Sequence, residues 1–369
     1  MCQSPPTPLE VIWNHEPEQL LRRADLPLVR RLFDGTLLQP ATSDAAYSCA
    51  LSYEPDDDDV FICTYPKCGT TWAQMILFQL VNEGKTPDQT PYKALWIGSP
   101  VLEFSGPLVK QFYLRPRLIK SHLTYSQLFK SGNRNNKIIF VTRNPKDCVV
   151  SYYHHNTGFK FYEFAQGGDM DVYVDAFVNN PEFEYGNYFD YMLDWLPHMH
   201  DENVLHLRYE DMLKDHEGAV RTMGKFLGGN AAKLVEDEES LKKVVFTSSF
   251  GEMKKNQEQF TSVKFRTTEE GDSSNQFIRK GKKGGCLSLV ACLTLTGRTK
   301  KANTTPVTIA RRADSTSASG ALKKLNQSER PSYRIEREWR SKEARKGAAV
   351  LPPRTEATES SSRVKCTTA

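Results

Sequence analysis

The stretch Val60-Phe61-Ile62-Cys63-Thr64-Tyr65-Pro66-Lys67-Cys68-Gly69-Thr70-Thr71-Trp72-Ala73-Gln74-Met75-Ile76-Leu77-Phe78-Gln79-Leu80 decides how this chain is read. Val60 to Tyr65 is apolar, β-branched and aromatic without a break, the pattern of a strand buried on both faces. Pro66 and Gly69 stop it, and from Thr70 the apolar residues recur at helical spacing. The order is strand, tight loop, helix. A loop that opens a helix presents free backbone N–H groups and the positive end of the helix dipole, and both favour an anion. Gly69 permits close approach of the backbone. Lys67 adds a point charge, Thr70 and Thr71 add hydroxyls, and Trp72 adds a flat face suited to a purine. The lysine precedes the glycine, the reverse of the GxxxxGK[ST] order, which counts against a P-loop kinase or NTPase.

Working outward, the alternation continues. Arg117 to Ser121 and Lys137 to Thr142 read as strands. Asn144-Pro145 opens a helix that runs through Tyr153. Asn187 to His200 reads as an amphipathic helix rich in aromatics, Val204 to Leu207 as a strand, and Glu217 to Leu227 as a helix. Buried strands alternating with helices imply an α/β fold, a parallel sheet flanked by helices, with ligands bound beyond the carboxyl ends of the strands. Residues 1–53 read as mixed, with basic turns at Arg22-Arg23 and Arg30-Arg31, and Asp56 to Asp59 as a solvated acidic loop.

The chain has 369 residues and a net charge of +4, unevenly spread. Residues 286–369 carry 17 Lys and Arg against 7 Asp and Glu, a net of +10, which leaves −6 for the rest. That last stretch is rich in Ser, Thr, Lys, Arg, Ala and Pro with no sustained period, a composition that rarely packs a core. A boundary near 285 therefore separates a domain, 1–285, from a basic Ser/Thr-rich tail, 286–369. The basic excess is read as solvated, with no nucleic-acid partner. The eight cysteines form no CxxC and no zinc-ligand spacing, which argues for reduced thiols and no metal. No signal peptide or membrane span is legible, so the expectation is a soluble, cytoplasmic protein without a membrane partner.

The loop Tyr65-Pro66-Lys67-Cys68-Gly69-Thr70-Thr71-Trp72 is similar to the 5′-phosphosulfate loop of the cytosolic sulfotransferases, with Cys68 where that family usually has serine. Four further pieces resemble the family in the same order. They are Lys120-Ser121-His122-Leu123, Arg143-Asn144-Pro145-Lys146-Asp147 with Ser151-Tyr152-Tyr153-His154, Tyr209-Glu210-Asp211 with Ser248-Ser249-Phe250 and Met253, and Arg279-Lys280-Gly281. His155 stands where the family often has an aromatic, Thr124 where it has proline, and Val101 where an aromatic is common.

The resemblance implies a P-loop-NTPase-like sulfotransferase fold and the donor 3′-phosphoadenosine 5′-phosphosulfate (PAPS). It implies transfer of a sulfonate to a hydroxyl or amine of a small, largely apolar acceptor such as a phenol, alcohol, steroid or amine. His122 is the implied general base. Lys67 and Lys120 are the implied charge-neutralising cations, and Ser151 can restrain Lys67 until acceptor binds. Cys68, Gly69, Thr70, Thr71 and Trp72 are implied to hold the donor's 5′ end. Arg143, Ser151, Arg279, Lys280 and Gly281 are implied to hold its 3′-phosphate, and Tyr209, Ser248, Phe250 and Met253 its adenine side. Trp96, Pro100 to Phe104, Phe112 and Tyr113 are implied to line the acceptor side.

After Gly284-Gly285 the family's Gly-Asp-Trp segment, last helix and dimer motif have no counterpart, which leaves dimerisation open. It also supports an alternative reading, a catalytically impaired protein that binds PAPS or its product. The absence of a membrane anchor counts against a Golgi carbohydrate sulfotransferase.

Overall fold

The computed structural model describes residues 20–21, 25–83, 91–111, 115–130, 135–179, 183–260, 266–267 and 278. The chain opens with a small antiparallel sheet of β1 (Leu20–Leu21), β2 (Arg30–Phe33) and β3 (Thr36–Leu38). Between β2 and β3, Asp34 and Gly35 both adopt positive φ, 44° and 77°. This is the two-residue turn that an Asp-Gly pair favours between twisted strands. Arg30 and Arg31 therefore lie in a strand and are buried, not in a basic turn. Arg31 donates to Asp44 through Nε and Nη2 at 3.0 and 2.6 Å, at the start of the helix Asp44–Leu51.

The main sheet comprises β4 (Val60–Thr64), β5 (Leu118–Ser121), β6 (Lys137–Thr142) and β7 (Val204–Arg208) in the order β5-β4-β6-β7, all parallel. The chain leaves β4 for one neighbour, β5, then crosses to the other neighbour, β6. The topological switch thus falls at the carboxyl end of β4, where open α/β sheets form their binding crevice. Alternate residues of each strand enter separate cores. Phe61, Cys63, Ile119, Ile138 and Phe140 pack with Tyr47, Tyr152, Tyr191 and Trp195 on one face. Val60, Ile62, Leu118, Ile139 and Val141 pack with the helix Thr70–Val81, Met212, Val220 and Met223 on the other. Burial on both faces explains the unbroken apolar runs.

The first core is unusually aromatic. Tyr65 meets Tyr152, Phe177, Tyr188 and Tyr191 edge-on, with ring centroids 5.2 to 6.1 Å apart. Inside it, Glu184 accepts from the hydroxyls of Tyr152 and Tyr162 at 2.6 and 3.0 Å. Burial raises its pKa to about 7.

In the acidic run Asp56 to Asp59, Asp57 and Asp58 are exposed as expected of a solvated loop, and Asp59 is the exception. Asp59 is fully buried and takes a bidentate contact from Arg117, Nε to Oδ1 at 2.7 Å and Nη2 to Oδ2 at 3.1 Å. Tyr53 donates to the same carboxylate at 2.7 Å, and Asn136 donates to the Asp59 carbonyl at 3.1 Å. The cluster ties the amino ends of β4, β5 and β6 together, opposite the binding edge. Asn187 to His200 also differs from expectation. The α-helix covers only Tyr188–Trp195, and Pro197 follows in a 3₁₀ turn, Leu196–His198. Proline tolerates that turn but not a continued α-helix interior.

Candidate active site

The parallel registers pair Ser121 with Cys63, Thr64 with Val141 and Thr142 with Arg208, so the four strands end within about a residue of one another at their carboxyl ends. The residues that follow each strand are therefore brought together. They are the loop Tyr65 to Gly69, then His122, Arg143 and Tyr209.

The loop after β4 has two residues in the left-handed region, Lys67 at φ 70° and Gly69 at φ 105°. Lysine there is strained, and such strain persists where the surroundings over-determine it, often at ligand clamps. Gly69 is required twice over, because a Cβ on it would lie 2.7 Å from the Tyr209 ring. Gly69 caps the helix Thr70–Val81 and supplies no side chain, so the helix N-terminus has no side-chain cap. The Thr70 hydroxyl is 2.6 Å from that of Thr64. Thr71 is half-buried in the first turn of the same helix. Cys68 turns into the core, fully buried, with its sulfur 3.8 Å from that of Cys148. Its backbone N–H donates to the Tyr65 carbonyl at 3.2 Å.

His122 leaves β5 with its backbone N–H donated to Glu103 Oε1. The Ser121 hydroxyl donates to the same oxygen at 3.1 Å. The His122 ring is fixed from the other side, Nδ1 lying 2.8 Å from the Thr64 carbonyl oxygen. A carbonyl only accepts, so Nδ1 carries the proton and Nε2 keeps its lone pair. Burial, with Lys120 and Lys67 adding to it, lowers the His122 pKa to about 3, so the ring is neutral at ordinary pH. Burial also lowers Lys120 to about 8, with Glu103 opposing. Glu103 is itself pushed up by burial, and among the described residues its Oε2 has no partner. Tyr185 closes the site, its ring centroid 5.4 Å from that of His122.

On the other side of β4, Arg143 Nη1 donates to the Lys67 carbonyl at 2.8 Å, and its guanidinium lies 4.4 Å from the centroid of the Tyr209 ring. Among the described residues, its buried Nε has no hydrogen-bond partner. Glu210 Oε1 accepts from the Asn144 N–H at 2.8 Å and joins the ends of β6 and β7. The Trp72 ring meets Tyr209 at 5.6 Å and His216 at 5.1 Å, and its Nε1 donates to the Ser248 carbonyl at 2.8 Å. The Ser248 hydroxyl is committed internally. It lies 2.6 Å from the Val244 carbonyl, to which it donates, so His216 Nε2, at 3.0 Å, is the donor to it. Phe250 starts the helix Phe250–Lys255, which Ser249 caps, and Met253 is buried in the second core. Ser151 lies half-buried on the helix Pro145–Gly158.

Lys67 Nζ lies 3.3 Å from His155 Nδ1, on that same helix. On the acceptor side, Val101 and Leu102 are buried, and Val101 bridges to Lys120. Arg279, Lys280, Gly281, Phe112, Tyr113, the Trp96 side chain and residues 286–369 lie outside the described residues.

Two residues of the site, Tyr185 and His216, are absent from the sequence reading, and two more, Glu103 and Glu210, lie in stretches it quotes but carry no role of their own there. Glu103 left a trace, a lone acid in the apolar run Val101-Leu102-Glu103-Phe104. Glu210 stands beside Tyr209 at a strand-to-helix junction. Tyr185 and His216 carried no signal distinguishable from ordinary core.

These features suit a nucleotide carrying phosphates. Among the described residues, the site has an uncapped helix N-terminus, a buried guanidinium nitrogen without a hydrogen-bond partner, and the Trp72 and Tyr209 rings packed edge-on at the ends of parallel strands.

Comparison with known proteins agrees. The sulfotransferase domain matches residues 57–286. Human sulfotransferase 1C2 is 33% identical over 258 residues, covering 68% of this chain and 83% of that protein. Human sulfotransferase 4A1 is 37% identical over 179 residues, covering 47% of this chain and 61% of that protein. Among solved structures, mouse sulfotransferase SULT7A1 complexed with PAP superposes with a TM-score of 0.54 at 25% identity, covering 70% of this chain and 88% of that one. Retinol dehydratase, in a complex with retinol and PAP, shares the fold at a TM-score of 0.54 and 20% identity, covering 71% and 85%. Among the described residues no helix is long and apolar enough to cross a membrane. With more than half of its length matched by that domain and the fold in common, the chain belongs to the sulfotransferase domain family of transferases.

Proposed function

We propose that this chain transfers a sulfonate from PAPS to a hydroxyl or amine of a small, largely apolar acceptor, with His122 as general base. The observation that carries the reading is the fixed tautomer of His122. Its Nδ1–H is tied to the Thr64 carbonyl, and Nε2 is left as the proton acceptor. The donor supplies an electrophilic sulfur and a phosphate leaving group. His122 Nε2 takes the acceptor's proton as the new S–O or S–N bond forms, and the Thr64 carbonyl stabilises the resulting imidazolium. Lys67 and Lys120 neutralise charge developing on the leaving oxygen and the transferring group. The uncapped helix N-terminus after Gly69 binds the 5′ end, Arg143 and Ser151 the 3′-phosphate, and Trp72, Tyr209 and Phe250 the purine. Ser248 and Met253 shape that site from behind. The buried Val101 and Leu102 and the Tyr185 ring favour an apolar acceptor.

The test is calorimetric titration of the full chain with the desulfonated product, 3′-phosphoadenosine 5′-phosphate (PAP), followed by an acceptor screen with PAPS. Tight PAP binding with ATP much weaker, and turnover of a phenol, alcohol or amine, is the expected result. PAP binding with no turnover across the screen would leave a nucleotide-binding protein instead of an enzyme.

A further inference from the structure

We propose that His155 is a resting position for Lys67, holding its ammonium off the donor's sulfonate until transfer begins. This rests on the sulfotransferase reading of the site and adds a residue to it. The observation is the 3.3 Å approach of Lys67 Nζ to His155 Nδ1, between residues 88 apart in the chain. An ammonium can only donate, so His155 accepts at Nδ1 and carries its proton on Nε2, the opposite tautomer to His122. The ring is held from three sides by Tyr152, Phe159 and Tyr162, with centroids 6.1, 4.7 and 5.8 Å away. Besides Tyr152 and Tyr162, the groups whose charge acts on it include Lys67, Lys120, His122 and Arg266. With burial as the leading cause, they keep its pKa well below the ordinary value, so it stays an acceptor at working pH.

His155 follows Ser151 by four residues on the helix Pro145–Gly158, so the two side chains sit one above the other on one face. The acceptor that Lys67 meets thus lies one helical turn from Ser151. Moving Lys67 onto the donor requires breaking a charge-assisted hydrogen bond, and that cost suppresses the wasteful reaction. In that reaction water attacks sulfur, the S–O bond to the phosphate breaks, and PAP, sulfate and protons are released.

The experiment compares wild type, His155→Phe and His155→Asn. Phenylalanine fills the aromatic box without an acceptor, and asparagine keeps an oxygen near the Nδ1 position. His155→Phe is expected to raise acceptor-independent PAPS hydrolysis and to tighten PAP, each by up to about tenfold, the scale of one charged hydrogen bond. His155→Asn should remain close to wild type. If the two variants behave alike, or if hydrolysis and PAP affinity fall together with melting temperature, His155 is structural and the proposal fails. In the free protein, Lys67→Met should shift the ¹⁵N resonance of His155 Nδ1, and an unmoved resonance overturns the contact itself. A moved resonance in a wild type that binds no PAP would overturn the donor reading and the proposed suppression, while the contact stands.

Discussion

His122 Nδ1 lies 2.8 Å from the carbonyl oxygen of Thr64, the last residue of the neighbouring strand. One backbone acceptor thereby sets both the orientation and the tautomer of the imidazole. His122→Ala is expected to lower kcat at least about a hundredfold, the lower end for a general base, while PAP affinity stays within a few-fold. Turnover close to wild type would remove His122 from the role.

Lys120 bounds the activity from the alkaline side. Its pKa is lowered to about 8, so its positive charge is complete well below that pH and is lost as pH rises through it. His122, lowered to about 3, stays neutral on the acid side. The kcat/KM profile should therefore be flat from about pH 5 to 7 and fall above about 8. The anionic donor raises the Lys120 pKa once bound, so kcat should fall at higher pH than kcat/KM. Lys120→Arg keeps its charge throughout and should lose the alkaline limb. A limb unchanged in that variant would assign it to another group.

Arg143 is expected to read the nucleotide's 3′-phosphate. Its guanidinium is braced on the Lys67 carbonyl and over Tyr209, and among the described residues its Nε has no partner. Arg143→Ala should weaken PAP roughly ten- to a hundredfold by calorimetry, with a far smaller loss for the 3′-dephospho analogue. Equal losses for both nucleotides would show that the arginine supports the loop and does not contact the phosphate.

Arg117 and Asp59 form a buried, bidentate pair at the far end of the sheet. Arg117→Ala leaves the buried Asp59 carboxylate with only the half-exposed Arg115, 3.8 Å away, as a cationic partner among the described residues, and should cost roughly 3–5 kcal/mol in urea unfolding. A loss under about 1 kcal/mol would mean that water reaches Asp59 and that the sheet does not depend on the pair.

Glu184 predicts a pH dependence of stability. Its folded pKa of about 7 exceeds its ordinary value of 4.5, so between these the native state binds more protons than the unfolded one. Stability from this group is therefore complete at low pH and declines as pH rises through about 7, by at most roughly 3 kcal/mol. Glu184→Gln cannot ionise. Its melting temperature should fall short of wild type at pH 5 and approach or pass it at pH 8. A difference independent of pH would show that Glu184 is already ionised or already neutral across the range.

The local pattern of residues was sufficient for the strand–loop–helix unit at 60–81, the other main strands, and the residues that end them. Buried strands, helix starts and glycine turns are governed by backbone conformation over a few neighbours, and functional groups in this fold follow directly on strand ends. The hairpin at Asp34-Gly35 carries an equally local signal, an Asp-Gly pair between two apolar runs. Tertiary structure alone decided which side chains meet across register and crossover. It set Glu103 beneath His122, Lys67 against His155, and Trp72 among Tyr209, His216 and Ser248. It also made a run of four aspartates partly interior, because Arg117 from another strand arrives to neutralise Asp59. Those contacts join residues 19 to 176 positions apart, and no periodicity encodes them. They depend on strand registers and helix packing that the whole core fixes cooperatively.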